Sequence, residues 1–332
     1  ALREGETHYT VSGGVGPLAN AIAALEAGRL GCAVTPSQVV TAVGAQNALY
    51  VLFRALLDAG DEAILLSPPY TMFAGLASAC DATCVEVPLD ASAGFALDVA
   101  AVARAITPRT RLVLANFPHN PSGACADRDA LLELVELCRE HDIWLISDEA
   151  YADLVYEGEF TSPASLPTST SHVVVVRSLS KSHAMTGWRI GYAGGPADLV
   201  QVMHKLQNQS TGNPNSIAQA AAITALTGPQ DVVTERAKIF QERRDFMLDR
   251  LNNCAGLSCL SPDGAFYVYP SCAGLIGKTS PAGRKIENDR DFVICLLEEF
   301  GIGAVHGEAY GLSPHFRLSF AASMEDLEEA CR

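Results

Sequence analysis

The sequence predicts an α/β fold: a mostly parallel sheet covered by helices, followed by a smaller α+β unit. Three observations predict it. Strand-like apolar runs alternate with amphipathic helical patterns from Ser37 to about Gly195, and that alternation builds parallel sheets through helical crossovers. After Gly228-Pro229 the alternation gives way to a long charged helical stretch. The chain has 332 residues, 48% of them hydrophobic, enough to bury a large core in about two domains.

The elements follow in order. Residues 1–5 read as helix-like. Strands are expected at 39–43, 63–66, 84–87, 112–115, 144–146 and 173–176, with a further strand-like run at 190–193. Helices are expected at 45–57, 70–80 and 130–140. Asp127 is a natural N-cap for the last of these, because Leu131, Leu134, Val135 and Cys138 then share one face. Beyond Pro229 the pattern predicts a helix at 231–253, strands at 257–260 and 265–269, and a polar loop at 274–289. A helix at 291–299, strands at 302–305 and 315–320, and a helix from Met324 complete the chain.

Composition narrows the function classes. The formal net charge is −15, which disfavours nucleic acid and anionic membranes as partners, since phosphates need a basic surface. No apolar run reaches the roughly 18 residues of a membrane span. The ten cysteines (32, 80, 84, 125, 138, 254, 259, 272, 295 and 331) have no metal-ligand spacing. No metal is therefore expected. Most sit in apolar runs and read as small core residues in a reducing cytoplasm.

The chemistry concentrates at Ser178-Leu179-Ser180-Lys181-Ser182-His183-Ala184-Met185-Thr186-Gly187-Trp188-Arg189. A lysine among small residues directly after a strand can present its amine to a pocket, as Schiff-base chemistry with a carbonyl cofactor requires. Ser178, Ser180 and Arg189 can serve a phosphate. Gly44-Ala45-Gln46 opens a helix straight after a strand, and such an N-terminus favours a phosphate as well. Asp148 ends an apolar strand. Arg317 lies among the apolar residues of another, and needs an anionic partner there. Alone, each has an ordinary reading: a solvated lysine, a capping aspartate, an internal salt bridge. His119, His183 and His306 read as satisfied loop histidines.

These segments resemble, in order and over nearly the whole chain, the class I aminotransferases, which are fold-type I pyridoxal 5′-phosphate (PLP) enzymes. The matching stretches include Tyr9 with Gly13-Gly14-Val15-Gly16-Pro17-Leu18, Val43-Gly44-Ala45-Gln46-Asn47-Ala48-Leu49 and Ser67-Pro68-Pro69-Tyr70. They continue with Asn116-Phe117-Pro118-His119-Asn120-Pro121-Ser122-Gly123, Ser147-Asp148-Glu149-Ala150-Tyr151, the lysine segment, and Phe316-Arg317-Leu318-Ser319.

The resemblance implies a large PLP-binding domain at 1–235 around a seven-stranded, mostly parallel sheet, and a small C-terminal domain at 236–332. It implies that Lys181 is the Schiff-base lysine and proton shuttle, and that Asp148 pairs with the pyridinium nitrogen. Tyr151 and Asn120 would serve the phenolic oxygen, and Tyr70 would stack on the ring. Gly44, Ala45, Gln46, Ser178, Ser180 and Arg189 would hold the phosphate. Arg317, with Asn120 and Tyr70, would bind the substrate. Tyr9 would reach the phosphate of a neighbouring subunit, so a homodimer with shared active sites is expected. Family members carry several tens of residues before this point, so an N-terminal arm is expected to be missing, and the last helix to be cut short.

The expected activity moves an amino group from an L-amino acid, with an aspartate-like donor favoured, to a 2-oxo acid. Gln46 stands where many aspartate-specific relatives carry a lysine for the distal carboxylate. Arginine–pyruvate transaminases and PLP-dependent carbon–sulfur lyases are the alternatives on the same fold. A third class, the aminotransferase-like effector domain of a transcription regulator, would need a basic DNA-binding domain that this chain lacks.

Overall fold

The computed structural model describes residues 1–332, the side chain of residue 170 excepted. Seven strands form the main sheet: β1 (Val39–Ala42), β2 (Glu62–Ser67), β3 (Thr83–Pro88), β4 (Thr110–Asn116), β5 (Trp144–Asp148), β6 (Val173–Ser178) and β7 (Gly191–Gly194). Their order is β1-β7-β6-β5-β4-β2-β3. Strands β3, β2, β4, β5 and β6 run parallel, while β7 is antiparallel to both β6 and β1. The fold class read from the sequence is the one observed.

The strands read as continuous apolar runs because both faces of the sheet are buried. Successive side chains point to opposite faces. Leu65, Leu112, Ile146 and Val174 pack on one face, against Leu49, Leu52 and Phe53 of α2 (Ala45–Leu56) and Met203 of α7 (Ala197–Gln209). Their neighbours Ile64, Val113, Leu145 and Val173 pack on the other. There they meet Val99 and Val102 of α4 (Val99–Ala105) and Leu131, Leu134 and Val135 of α5 (Arg128–Glu140). Asp127 caps α5 as expected, its Oδ1 accepting from Asp129 N at 2.8 Å and Ala130 N at 3.3 Å. A third cluster joins α1 (Gly16–Leu30) to α8 (Ser216–Thr227) over Ile190 and Tyr192.

A long helix, α9 (Asp231–Asn252), leads to a second, antiparallel sheet of order β8-β10-β9. Its strands are β8 (Tyr267–Val268), β9 (Val305–His306) and β10 (Phe316–Ser319). Helices α10 (Asp289–Phe300) and α11 (Met324–Ala330) complete this part. Its own core includes Phe240, Met247, Leu251, Val268 and Phe320. No helix among the described residues is long and apolar enough to cross a membrane.

Several local expectations fail for visible reasons. No strand forms at 257–260. Pairing is confined to a single antiparallel bridge, Ser258 with Ser271, and Asn252 brackets the next residue, Cys259, accepting from its N–H at 2.8 Å and donating to its C=O at 3.0 Å. The expected helix at 70–80 contracts to α3 (Phe73–Ser78), because Pro68-Pro69 keeps the entry extended. The start of the chain forms only a 3-10 turn, Leu2–Glu4. Cys80, Cys138, Cys272 and Cys295 are buried as expected, but Cys32 and Cys254 are exposed.

Beneath the C-terminal edge of the main sheet lies a buried charge cluster. Arg177 on β6 meets Glu149 at 2.6 Å and Glu26 of α1 at 3.1 Å, all three nearly inaccessible to water. Ser147 and Ser162 donate to Glu149, and Tyr192 donates to Glu26. Removing the cation would leave Glu149 unpaired and Glu26 with only the longer 3.8 Å contact to Arg29. Arg177→Met should therefore lower unfolding free energy by about 3–5 kcal/mol in urea titrations. These carboxylates would gain protons in the fold, raising their folded pKa, so the loss should be larger near pH 8 than near pH 5.

Candidate active site

Parallel strands deliver their last residues to one edge, where open α/β sheets place their ligands. Here these are Asn116 of β4, Asp148 of β5 and Ser178 of β6. Asn116 pairs with Asp148 in register, and Asn116 Nδ2 donates to Asp148 O at 3.1 Å. A cavity of about 270 Å³ opens at this edge. Ala45, Gln46, Tyr70, Asn120, Asp148, Tyr151, Ser178, Ser180, Lys181, Arg189 and Arg317 all line it. Tyr9 does not: it is fully exposed, on the N-terminal stretch.

Lys181 sits on α6 (Leu179–Ser182), a single turn that follows β6 directly. Ser178 caps the turn by accepting from Ser180 N at 3.1 Å. The Lys181 amine lies 5.1 Å from the ring centre of Phe266 and 5.6 Å from that of Tyr151. Burial lowers its pKa, and the Arg317 and Arg189 charges lower it further, against the opposing pull of Asp148. Asp148 is buried, and burial pushes its carboxyl up to about 7; Glu149 adds to the rise, while Ala150 N–H and Lys181 oppose it. A cationic partner beside this carboxyl would favour its ionised form.

The phosphate end depends on backbone. Gly44 caps α2 with φ +79°, and a Cβ there would fall 2.5 Å from Arg189 Nη2. A Cβ on Gly191 would fall 2.7 Å from Ala45 N. Two glycines thus let Arg189 and the start of α2 close around one spot. Arg189 takes φ +50° and is held by Nη1 donating to Thr186 O at 2.9 Å. Hydroxyls, a guanidinium and a helix N-terminus at one end, a carboxyl at the other and an amine between them form a donor set that fits pyridoxal phosphate.

The substrate side is built by the second sheet. Arg317 lies on β10 with no carboxylate partner within 4.0 Å among the described residues. Its Nη1 donates to Asn120 Oδ1 at 2.8 Å, and Asn120 N donates to Asn116 Oδ1 at 3.0 Å. Its guanidinium stands 4.2 Å from the ring centre of Tyr267 and 5.4 Å from that of Tyr310. Tyr151 and Tyr267 touch through their hydroxyls at 2.9 Å. Sequence reasoning gave no role to Asn116, Thr186, Phe266, Tyr267 or Tyr310. Asn116 carried a usable signal, because it ends its strand as Asp148 does.

The sequence profile described as Aminotransferase class I and II matches residues 3–332. An aspartate aminotransferase of Rhizobium meliloti (strain 1021) is 44% identical, over 99% of this chain and 81% of its own length. A crystal structure of the aspartate aminotransferase from Rhizobium meliloti superposes with a TM-score of 0.96 at 42% identity, over 100% of this chain and 84% of that one. An arginine–pyruvate transaminase of Pseudomonas aeruginosa is 40% identical, over 100% of this chain and 82% of its own length. With the lysine, carboxylate and arginine already gathered at one sheet edge, the chain belongs to the class I and II aminotransferases, fold-type I transaminases that depend on pyridoxal 5′-phosphate.

Proposed function

We propose that the enzyme exchanges an amino group between an aspartate-like L-amino acid and a 2-oxo acid in the cavity at the C-terminal edge of the sheet. The observation that carries this is the convergence of Lys181, Asp148, Asn120 and Arg317 on one cavity, with Arg317 free of any carboxylate partner among the described residues. The relatives named for aspartate support the donor class. We place the large domain at 1–235 and the small one at 236–332; the second sheet, with its cluster of Cys272, Phe292, Val293 and Phe316, supports that division.

Bound pyridoxal phosphate supplies an electron-withdrawing ring that stabilises negative charge developing at the substrate α-carbon. Asp148 holds a proton on the ring nitrogen. Its burial makes this pairing strong, because a lone charge there is costly. Lys181 would hold the cofactor through its amine, and the same amine, when free, would carry the proton of the substrate α-carbon. The lowered pKa of its amine suits a base working near neutrality. Asn120 and Tyr151 donate to the phenolic oxygen, and Tyr70 covers the ring face. Ser178, Ser180, Arg189 and the α2 start at Gly44, Ala45 and Gln46 hold the phosphate. Arg317 binds the α-carboxylate as a fork, with Asn120 anchoring one end of its guanidinium. Tyr9, exposed and outside its own cavity, serves the phosphate of a second copy, so the working unit is a homodimer. The ten free cysteines suit the cytoplasm.

Gln46 lines the cavity without a charge, which favours a second reading with a broader donor range that reaches basic amino acids, as the name of the Pseudomonas relative suggests.

Three outcomes test these assignments. Lys181→Ala should abolish transamination and remove the visible band of the lysine-linked cofactor; a variant that keeps both would overturn the assignment. Arg317→Lys keeps charge but loses the fork, so kcat/KM for amino and oxo acids should fall roughly 10–100-fold in steady-state assays, while amines without a carboxylate lose little. Gln46→Lys should raise kcat/KM for aspartate by at least about tenfold relative to alanine and arginine. Equal changes for all three donors would remove Gln46 from substrate choice.

A further inference from the structure

We infer that Tyr267 is a positioning residue of the transamination site, its hydroxyl setting the hydrogen bond of Tyr151 and its ring seating the guanidinium of Arg317. The inference rests on the roles given above to those two residues.

The geometry is specific. Tyr267 lies on β8, opposite Ser319 of β10, two residues from Arg317. Its ring faces the cavity and is buried. The Arg317 guanidinium stands 4.2 Å from the ring centre, a cation–π distance. Arg317 has one side-chain hydrogen bond among the described residues, to Asn120. One bond fixes a point, and the aromatic face fixes the plane. The remaining donors of the fork are then free to meet a carboxylate.

The hydroxyl works on the opposite neighbour. Tyr151 and Tyr267 pack edge to face, with hydroxyl oxygens 2.9 Å apart. A phenol can donate one hydrogen bond while accepting another. When Tyr267 donates to Tyr151, the Tyr151 hydrogen is released toward the cavity. Donors in such a chain polarise one another, so the second hydroxyl strengthens the first as a donor. The reverse arrangement would engage the Tyr151 hydrogen away from the cofactor. Asp148, Arg317 and the Lys181 amine face Tyr151, while Arg317 and Tyr70 face Tyr267. Burial raises both phenol pKa values, so both keep their protons at neutral pH.

The test uses purified holoenzyme and separates the two actions. The pH midpoint of the lysine-linked cofactor band is titrated in wild type, Tyr267→Phe, Tyr151→Phe and the double variant. A lost donor leaves the phenolic oxygen less stabilised, so the linked nitrogen should hold its proton to higher pH. Tyr151→Phe should raise the midpoint most, and Tyr267→Phe by about 0.3 unit. In the Tyr151→Phe background, Tyr267→Phe should add nothing. Equilibrium binding of a dicarboxylate should change less than about twofold in Tyr267→Phe but weaken about 3- to 30-fold in Tyr267→Leu. A midpoint that moves in Tyr151→Phe but not in Tyr267→Phe, an effect of Tyr267→Phe that survives in the double variant, or unchanged dicarboxylate affinity in Tyr267→Leu would each overturn the inference. A midpoint unmoved by Tyr151→Phe would instead sink the role given to Tyr151, and the hydroxyl half of this inference with it.

Discussion

Arg177 lies between two buried carboxylates, Glu149 and Glu26, and the active edge of the sheet rests on it. The residue before Glu149 is Asp148, and the residue after Arg177 is Ser178, which caps the lysine turn. The pair therefore ties the ring-nitrogen carboxylate to the lysine turn across adjacent strands, while Glu26 ties both to α1. Burying ions is costly, and a hydrophobic replacement of the whole set could be equally stable. What the ions add is direction. A guanidinium with two carboxylates permits few relative positions of β5, β6 and α1, whereas apolar packing would tolerate sliding. Ser147, Ser162 and Tyr192 complete the arrangement by donating to the carboxylates.

Much of this was legible in the sequence, for identifiable reasons. The strands of the main sheet stood out because they are apolar on both faces; Asp148 ends one such run, Arg317 interrupts another and Lys181 follows a third in a serine-rich turn, while Asn120 was marked only by the family resemblance. All four line the cavity as expected. The second sheet was less legible. Its strands β8 and β9 are two residues each, too short for any period to show. The run at 257–260 looks like a strand, but its Leu260 is exposed and Asn252 takes the hydrogen bonds of Cys259. Tyr267 was invisible as a functional residue because aromatic residues fill that whole stretch, and only the fold shows which of them meets Tyr151. The Glu26–Arg177–Glu149 contacts span three distant segments that no spacing connects.

The site joins the main sheet to the second sheet. Asn120 belongs to the loop after β4, and Arg317 to the second sheet; their 2.8 Å hydrogen bond joins the two across the cavity. Asn116 continues the path to the backbone of Asp148. A second tie lies nearby, where Arg236 of α9 donates to Ser182 O beside the lysine turn. The carboxylate-binding and cofactor-binding halves are thus linked through short polar contacts as well as through the apolar cluster in which Tyr151 and Leu154 pack with Tyr267 and Phe320.

Two guanidinium cations that line the cavity, Arg189 and Arg317, sit inside a protein whose formal net charge is −15. An anionic molecule approaching from far away meets repulsion first and attraction only at the mouth. In solution at physiological salt the crossover lies within about 8 Å of the surface, the distance over which mobile ions hide charge. Ionic strength therefore acts on encounter and on residence in opposite senses. Added salt weakens the long-range barrier to entry, which quickens encounter, and weakens the grip on the seated anion, which shortens residence.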